Sequence, residues 1–147
     1  MPVSDADYRR LLEFRDGIRL FLRWSEDQAA AVGLTPAQHQ LLLAIRGHGS
    51  DRDPTIGEIA EHLQLQQHST VGLVNRAERV GLVSRWSDPD DQRLVRVTLT
   101  SVGRRRLEQL SAAHLEELRR LTPRLRGLWA DLEAGGGSIT TVTAPRR

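Results

Sequence analysis

The stretch GLVSRWSDPDDQRLVRVTLT, residues 81–100, decides the fold. Val83, Arg85 and the run LVRVTLT alternate apolar and polar positions with period two, the pattern of two short strands. Between them stand Pro89, Asp88, Asp90 and Asp91, residues that build turns because proline presets φ and aspartate bonds its own backbone. The segment reads as strand, loop, strand, with acids set beside Arg85, Arg93 and Arg96. An arginine at a hairpin tip suits a DNA minor groove, whose negative potential attracts guanidinium. Neighbouring aspartates then fix that arginine's direction and keep the loop turned. A solvated hairpin with local ion pairs is the competing reading of the loop alone.

Working back from the hairpin, Gly81 stops a helix over about His68 to Val80, and QLQQ separates it from IGEIAEHL, capped by Thr55 with Glu58 at capping-box distance. HGSDRDP is a polar loop. Before it, LTPAQHQLLLAIRGHG has Thr35 as cap, Pro36 at the first helical position and Gly47 or Gly49 at the end. The first segment, Ser4 to about Ala31, has helical periodicity through Tyr8, Leu11, Leu12, Ile18, Phe21 and Leu22, and Gly33 closes it. After the hairpin, Thr100 caps a long helical pattern with leucines at 107, 110, 118, 121, 125, 128 and 132. Pro123 interrupts that seam, so a kink or two helices are expected there. The end, GGGSITTVTAPRR, has linker composition.

Short helix, turn, helix and hairpin in this order predict a winged helix-turn-helix. The expected fold class is mainly α with a small β-hairpin wing, a winged helix-turn-helix plus N- and C-terminal dimerisation helices. The expected divisions are 4–33 (N-terminal dimerisation helix), 34–100 (DNA-binding domain), 101–134 (C-terminal dimerisation helices) and 135–147 (flexible tail).

Composition narrows the chemistry. The chain has 147 residues, a formal net charge of +2 and no cysteine, so disulfides, thiolate metal sites and thiol redox switches are excluded. Every basic residue apart from histidine is an arginine. From Arg76 to Arg106 eight arginines face four acids, a local net of +4, so the remainder sums to −2. Positive charge is thus concentrated on the predicted reading elements. No P-loop, GxGxxG, HExxH or GxSxG is present. Histidines 39, 48, 62, 68 and 114 include no i, i+4 pair on one helix face. Neither catalytic residues, nor a metal, nor a cofactor are expected. No apolar run approaches a membrane span and the start MPVSDADYRR has no apolar signal core, so a cytoplasmic protein without membrane partners is expected.

DPDDQRLVRVTLTSVG resembles the wing signature of the MarR (multiple antibiotic resistance regulator) transcription factors, in which Asp-x-Arg precedes an alternating strand and Leu-Thr-x-x-Gly. Here these are Asp91, Arg93, Leu99, Thr100 and Gly103. LTPAQHQLLLAI, TIGEIAEHL and RAERVGLV are similar to that family's second helix, first helix of the motif and end of the recognition helix. The resemblance covers about residues 5 to 133. It implies a homodimer formed by the terminal helices, binding double-stranded DNA at a pseudo-palindromic operator. It also implies repression relieved by a small anionic or aromatic effector near the junction of the dimer helices and the DNA-binding motif. A departure occurs at Val71-Gly72, where many relatives carry a Thr-Arg pair.

In the recognition helix the apolar phase turns Thr70, Leu73, Val74 and Ala77 inward. Gln66, Gln67, His68, Ser69, Val71, Gly72, Asn75 and Arg76 are left as the DNA-reading set, with Arg79 beside them. The wing set is Arg85, Asp91, Arg93 and Arg96; Arg85 and Arg96 either touch phosphates or face solvent. The basic run at 103–109 is a phosphate patch or a solvated face. The leucine seam, with Trp24 and Trp129 nearby, is intrachain core or dimer interface. His39 is a satisfied core histidine or a pocket donor, and the resemblance places Arg15, Arg19, Trp24 and His39 as the candidate effector pocket. The alternative function is a winged-helix protein-interaction module without sequence-specific DNA binding.

Overall fold

A cap stands at the head of almost every helix. The computed structural model describes residues 2–135. Ser4 Oγ accepts from the Asp7 amide and the Asp7 carboxylate accepts from the Ser4 amide, opening α1 (Asp5–Ala31). Thr35 with Gln38 and Thr55 with Glu58 form reciprocal capping boxes on α2 (Pro36–Arg46) and α3 (Ile56–Leu63). α4 (Gln67–Arg79) has no side-chain cap hydrogen bond at Gln66. Gly33 (φ 75°) and Gly81 (φ 78°) follow α1 and α4 in the left-handed region, where a side chain would be strained.

After Gly81 the chain forms β1 (Val83–Ser87) and β2 (Val95–Leu99), paired antiparallel from Val83 opposite Leu99 to Ser87 opposite Val95. Thr100 Oγ1 then accepts the Gly103 amide at the head of α5 (Ser101–Gly135) and donates to the Gly81 carbonyl at 2.6 Å. That bond ties the hairpin's entry to its exit. The first turn of α5 lies so close to β1 that a Cβ on Gly103 would meet the Leu82 carbonyl oxygen within van der Waals distance. The mainly helical winged fold with a two-stranded wing is therefore the observed one.

The described residues divide into two compact units, residues 23–114 and a second made of residues 2–22 and 115–135. The divisions fall inside α1 and α5 rather than at their ends. In the larger unit Leu41, Leu42, Ile59, Leu73, Val74, Leu82, Val83, Val97, Leu107 and Leu110 form one core drawn from α2 to α5 and the hairpin. Each such aliphatic side chain contributes about 1.5–3 kcal/mol by leaving water. In the other unit Phe14 and Trp129 meet edge-to-face at 5.9 Å, and Arg124 lies 3.6 Å from Glu13.

Of the two alternatives at Pro123, two separate helices are not what forms: α5 runs through it as a single helix. Proline removes one amide donor and frees the carbonyl four residues back. Pro123 and Arg119 both lie on the exposed side of the helix, where a freed carbonyl costs least. The leucine seam also splits. Leu107 and Leu110 are buried, whereas Leu118 and Leu125 are exposed. The tail expected from residue 135 lies, from 136 on, outside the described residues.

Candidate nucleic-acid interface

α3 and α4 join through Gln64, which takes the left-handed conformation (φ 53°, ψ 40°). This turn presents the first residues of α4 outward. Gln66, Gln67, His68 and Ser69 are exposed, and Thr70, Leu73, Val74 and Ala77 are buried, the phase read from the sequence. The outer set is uneven. Val71 packs partly against the core, and Gly72 and Asn75 are half-buried. Asn75 Oδ1 is enclosed with no hydrogen-bond partner among the described residues. Arg76 and Arg79 are exposed.

The wing tip holds Arg93 in a fork. Its Nε lies 3.0 Å from Asp91 Oδ1 and its Nη2 3.1 Å from Oδ2, while its amide also donates to Oδ1. The Arg93 side chain is 90% exposed. The guanidinium holds the Asp91 carboxyl below the usual carboxylate range, and the carboxylate raises Arg93 further. Both groups stay ionised at any pH at which the protein would work. A charged fork in solvent, aimed by its own neighbour, is what minor-groove or phosphate contact requires.

Asp88 shapes the loop beneath it. It is buried, its Oδ1 accepts the amides of Asp90 (2.7 Å) and Asp91 (3.2 Å), and its Oδ2 accepts Arg96 Nε. Arg96, followed by those amides, keeps the Asp88 carboxyl below its ordinary range. This corrects the placement of Arg96 among surface wing residues: it is 8% exposed. Period two turns Arg96 away from the core side of β2, but the loop between α2 and α3 covers that face. Arg96 Nη1 donates to the Asp53 carbonyl at 2.7 Å and approaches Glu58. Trp86 Nε1 donates to Asp53 Oδ2, the Val97 amide donates to Pro54 O, and Arg52 lies 3.6 Å from Asp90. Arg96 therefore anchors the wing to residues 52–58.

Arg85 is exposed but committed. Its amide and its Nη2 both bond Glu78 on α4 at 3.0 Å, which holds that carboxyl low. With Asn75, Glu78 and Arg79 it lines a cleft between α4 and the wing. In the basic run, Arg104 and Arg105 are exposed while Arg106 reaches the Gly33 carbonyl at 3.4 Å.

Of the candidate effector residues, Trp24 and His39 converge on His114, each with ring centroids 4.8 Å from it. His114 is fixed by Ser25 Oγ (2.7 Å) and the Leu110 carbonyl (2.8 Å). His39 is buried, and burial, then His114, pushes its pKa below the usual imidazole value. Arg15 and Arg19 belong to the other unit, where Arg19 bonds Asp16. Sequence reasoning missed a second histidine pair: His48 Nδ1 lies 3.0 Å from His62 Nε2, and His48 Nε2 lies 2.7 Å from Glu58. Fourteen residues separate these histidines, so no local spacing announced them. Among the described residues no group of three His, Asp or Glu is arranged to hold a metal ion. Asp53, Trp86 and Arg52 were also missed as wing supports; only the DPDD turn pattern pointed to the role of Asp88.

Comparison with known proteins agrees with this geometry. Residues 32–94 match the model of the MarR family. The chain is 30% identical over 80 residues to the HTH-type transcriptional repressor MdtR of Bacillus subtilis, covering 54% of this chain and 50% of that protein. It is 30% identical over 113 residues to the transcriptional activatory protein BadR of Rhodopseudomonas palustris, covering 77% of this chain and 58% of that one. The matched stretches thus span about half the length of these curated relatives. A Staphylococcus aureus MepR–DNA complex shares the fold with a TM-score of 0.69 at 20% identity, over 90% of this chain and 96% of that one.

Proposed function

We propose that the chain, whose residues 32–94 match the MarR family model and which is similar to regulators of that kind, is a homodimeric, sequence-specific DNA-binding transcriptional regulator of that family that represses by occupying a pseudo-palindromic operator. The observation that carries this reading is the wing: Arg93, 90% exposed, is held in a two-bond fork by Asp91 beside the exposed first turn of α4. A tip arginine enters the minor groove while α4 lies in the major groove. The second half-site calls for a second copy. Tyr8, Leu11, Leu12 and Ile18 of α1 and Leu118, Leu125 and Trp129 of α5 are exposed apolar side chains of the kind that a dimer interface covers. A small anionic or aromatic effector that loosens DNA binding would act at Trp24 and His39. Among the described residues no helix is long and apolar enough to cross a membrane.

Fluorescence-anisotropy titration tests the proposal, using the DNA upstream of the chain's own gene and a scrambled control across a salt series. A regulator binds the upstream fragment more tightly, with log K falling by about 0.9 per neutralised phosphate for each unit of log salt. Absence of binding to both fragments at low salt overturns it in favour of a protein-interaction module. Repression is tested by a reporter fused to the same fragment: reporter output that rises with the protein present overturns that sign, which BadR's name shows to vary among relatives.

A further inference from the structure

Gly72 stands in the middle of α4, where glycine is the poorest choice after proline for holding a helix. Its backbone is not in the left-handed region, so no turn demands it. What uses the vacated space is Arg76. A Cβ on residue 72 would lie 3.3 Å from Arg76 Nη1, tighter than an ordinary contact. A helical side chain lies over the turn preceding its own Cα, so Arg76 covers the position four residues back. Its guanidinium is thereby carried toward the N-terminal half of α4, where Gln67, His68 and Ser69 are exposed. That is the part of a recognition helix that approaches base edges.

Arg76 is also chemically available. Arg85 is bound to Glu78 and Arg96 to Asp88, but no carboxylate of the described residues pairs with Arg76. We propose that Gly72 and Arg76 form one recognition unit, in which the glycine clears the ground for the Arg76 fork and the fork reads a guanine edge in the major groove. Bidentate donation to guanine O6 and N7 needs a planar fork held flat against its support. The departure at Val71-Gly72 then removes no reading arginine from this helix, because Arg76 fills the same ground from the next turn. This inference rests on the DNA-binding reading above.

The test selects binding sites from a random duplex library with the wild-type chain, then titrates the selected duplex and a scrambled one with Arg76→Ala, Arg76→Lys, Gly72→Ala and the Gly72→Ala/Arg76→Ala double variant. Arg76→Ala is expected to lose about 10- to 100-fold on the selected duplex and less than about threefold on the scrambled one, the span of one bidentate base contact. Reselection with this variant should lose a G·C preference at one position per half-site, and Arg76→Lys should not restore it. Gly72→Ala should weaken specific binding without lowering the melting temperature, and adding it to Arg76→Ala should cost nothing further. Equal losses on both duplexes with a shallower salt slope would make Arg76 a phosphate contact and overturn the proposal. Additive losses for the two sites would overturn the coupling. A wild-type chain that selects no sequence would instead overturn the DNA-binding reading itself.

Discussion

Asp88 and Arg96 face each other inside the wing, with Nε 2.5 Å from Oδ2 and side chains 3% and 10% exposed. The pair joins two tasks. Asp88 turns the loop by accepting the Asp90 and Asp91 amides, and Arg96 fastens it to Asp53. The loop that carries the Asp91–Arg93 fork is thus turned by a buried carboxylate. Arg96→Ala leaves a buried carboxylate without its partner, so the melting temperature should fall by about 10 °C. Circular-dichroism melting at pH 7 checks this. Asp88→Asn keeps an acceptor for the loop amides and should fall less; the reverse order would remove Arg96 as the anchor.

Arg93→Ala should weaken specific DNA binding about 10- to 100-fold while leaving the melting temperature unchanged, since the side chain is 90% exposed and among the described residues its polar partner is its near neighbour Asp91. Asp91→Ala frees the fork to wander and should give a smaller loss. Anisotropy at matched salt reads both. Unchanged affinity of Arg93→Ala would take the wing out of the mechanism.

Gly103→Ala places a methyl group against the Leu82 carbonyl, a backbone atom already fixed by the Thr100 amide and hydroxyl. The head of α5 must move away from β1, at a cost of about 3 kcal/mol. Urea unfolding measures it. A loss below about 1 kcal/mol would show that α5 shifts freely.

Stability should decline on acidification in two separate windows. His39 is held neutral by burial, its pKa lowered from 6.5. The unfolded chain binds the proton more readily, so stability is complete above pH 6.5 and is lost as pH falls from there through the folded value. His39→Gln should flatten the melting curve between pH 7.5 and 5.5. An unchanged slope would exclude His39 as its source. Asp88 is lowered from 3.8 by Arg96 and the loop amides, so its contribution is complete above pH 3.8 and disappears only below it.

The sequence by itself determined the helices, their starts and the hairpin. Thr35, Thr55 and Thr100 cap because their hydroxyls reach amides three residues away, and Val95, Val97 and Leu99 share one face of a pleat. Both are short-range rules, legible from spacing alone. The inward phase of α4 and the pairing of Asp91 with Arg93 were legible for the same reason. Only the tertiary structure decided that Arg96 is an anchor rather than a surface contact, because the loop at 52–55 closes over a strand face that period two leaves open. It also decided that His48 meets His62, that Trp24 and His39 meet around His114, and that α5 continues through Pro123. For the arginine and the histidines the deciding neighbour comes from a distant part of the chain. Burial and partner choice depend on how elements pack, and spacing along one element carries no record of what covers it.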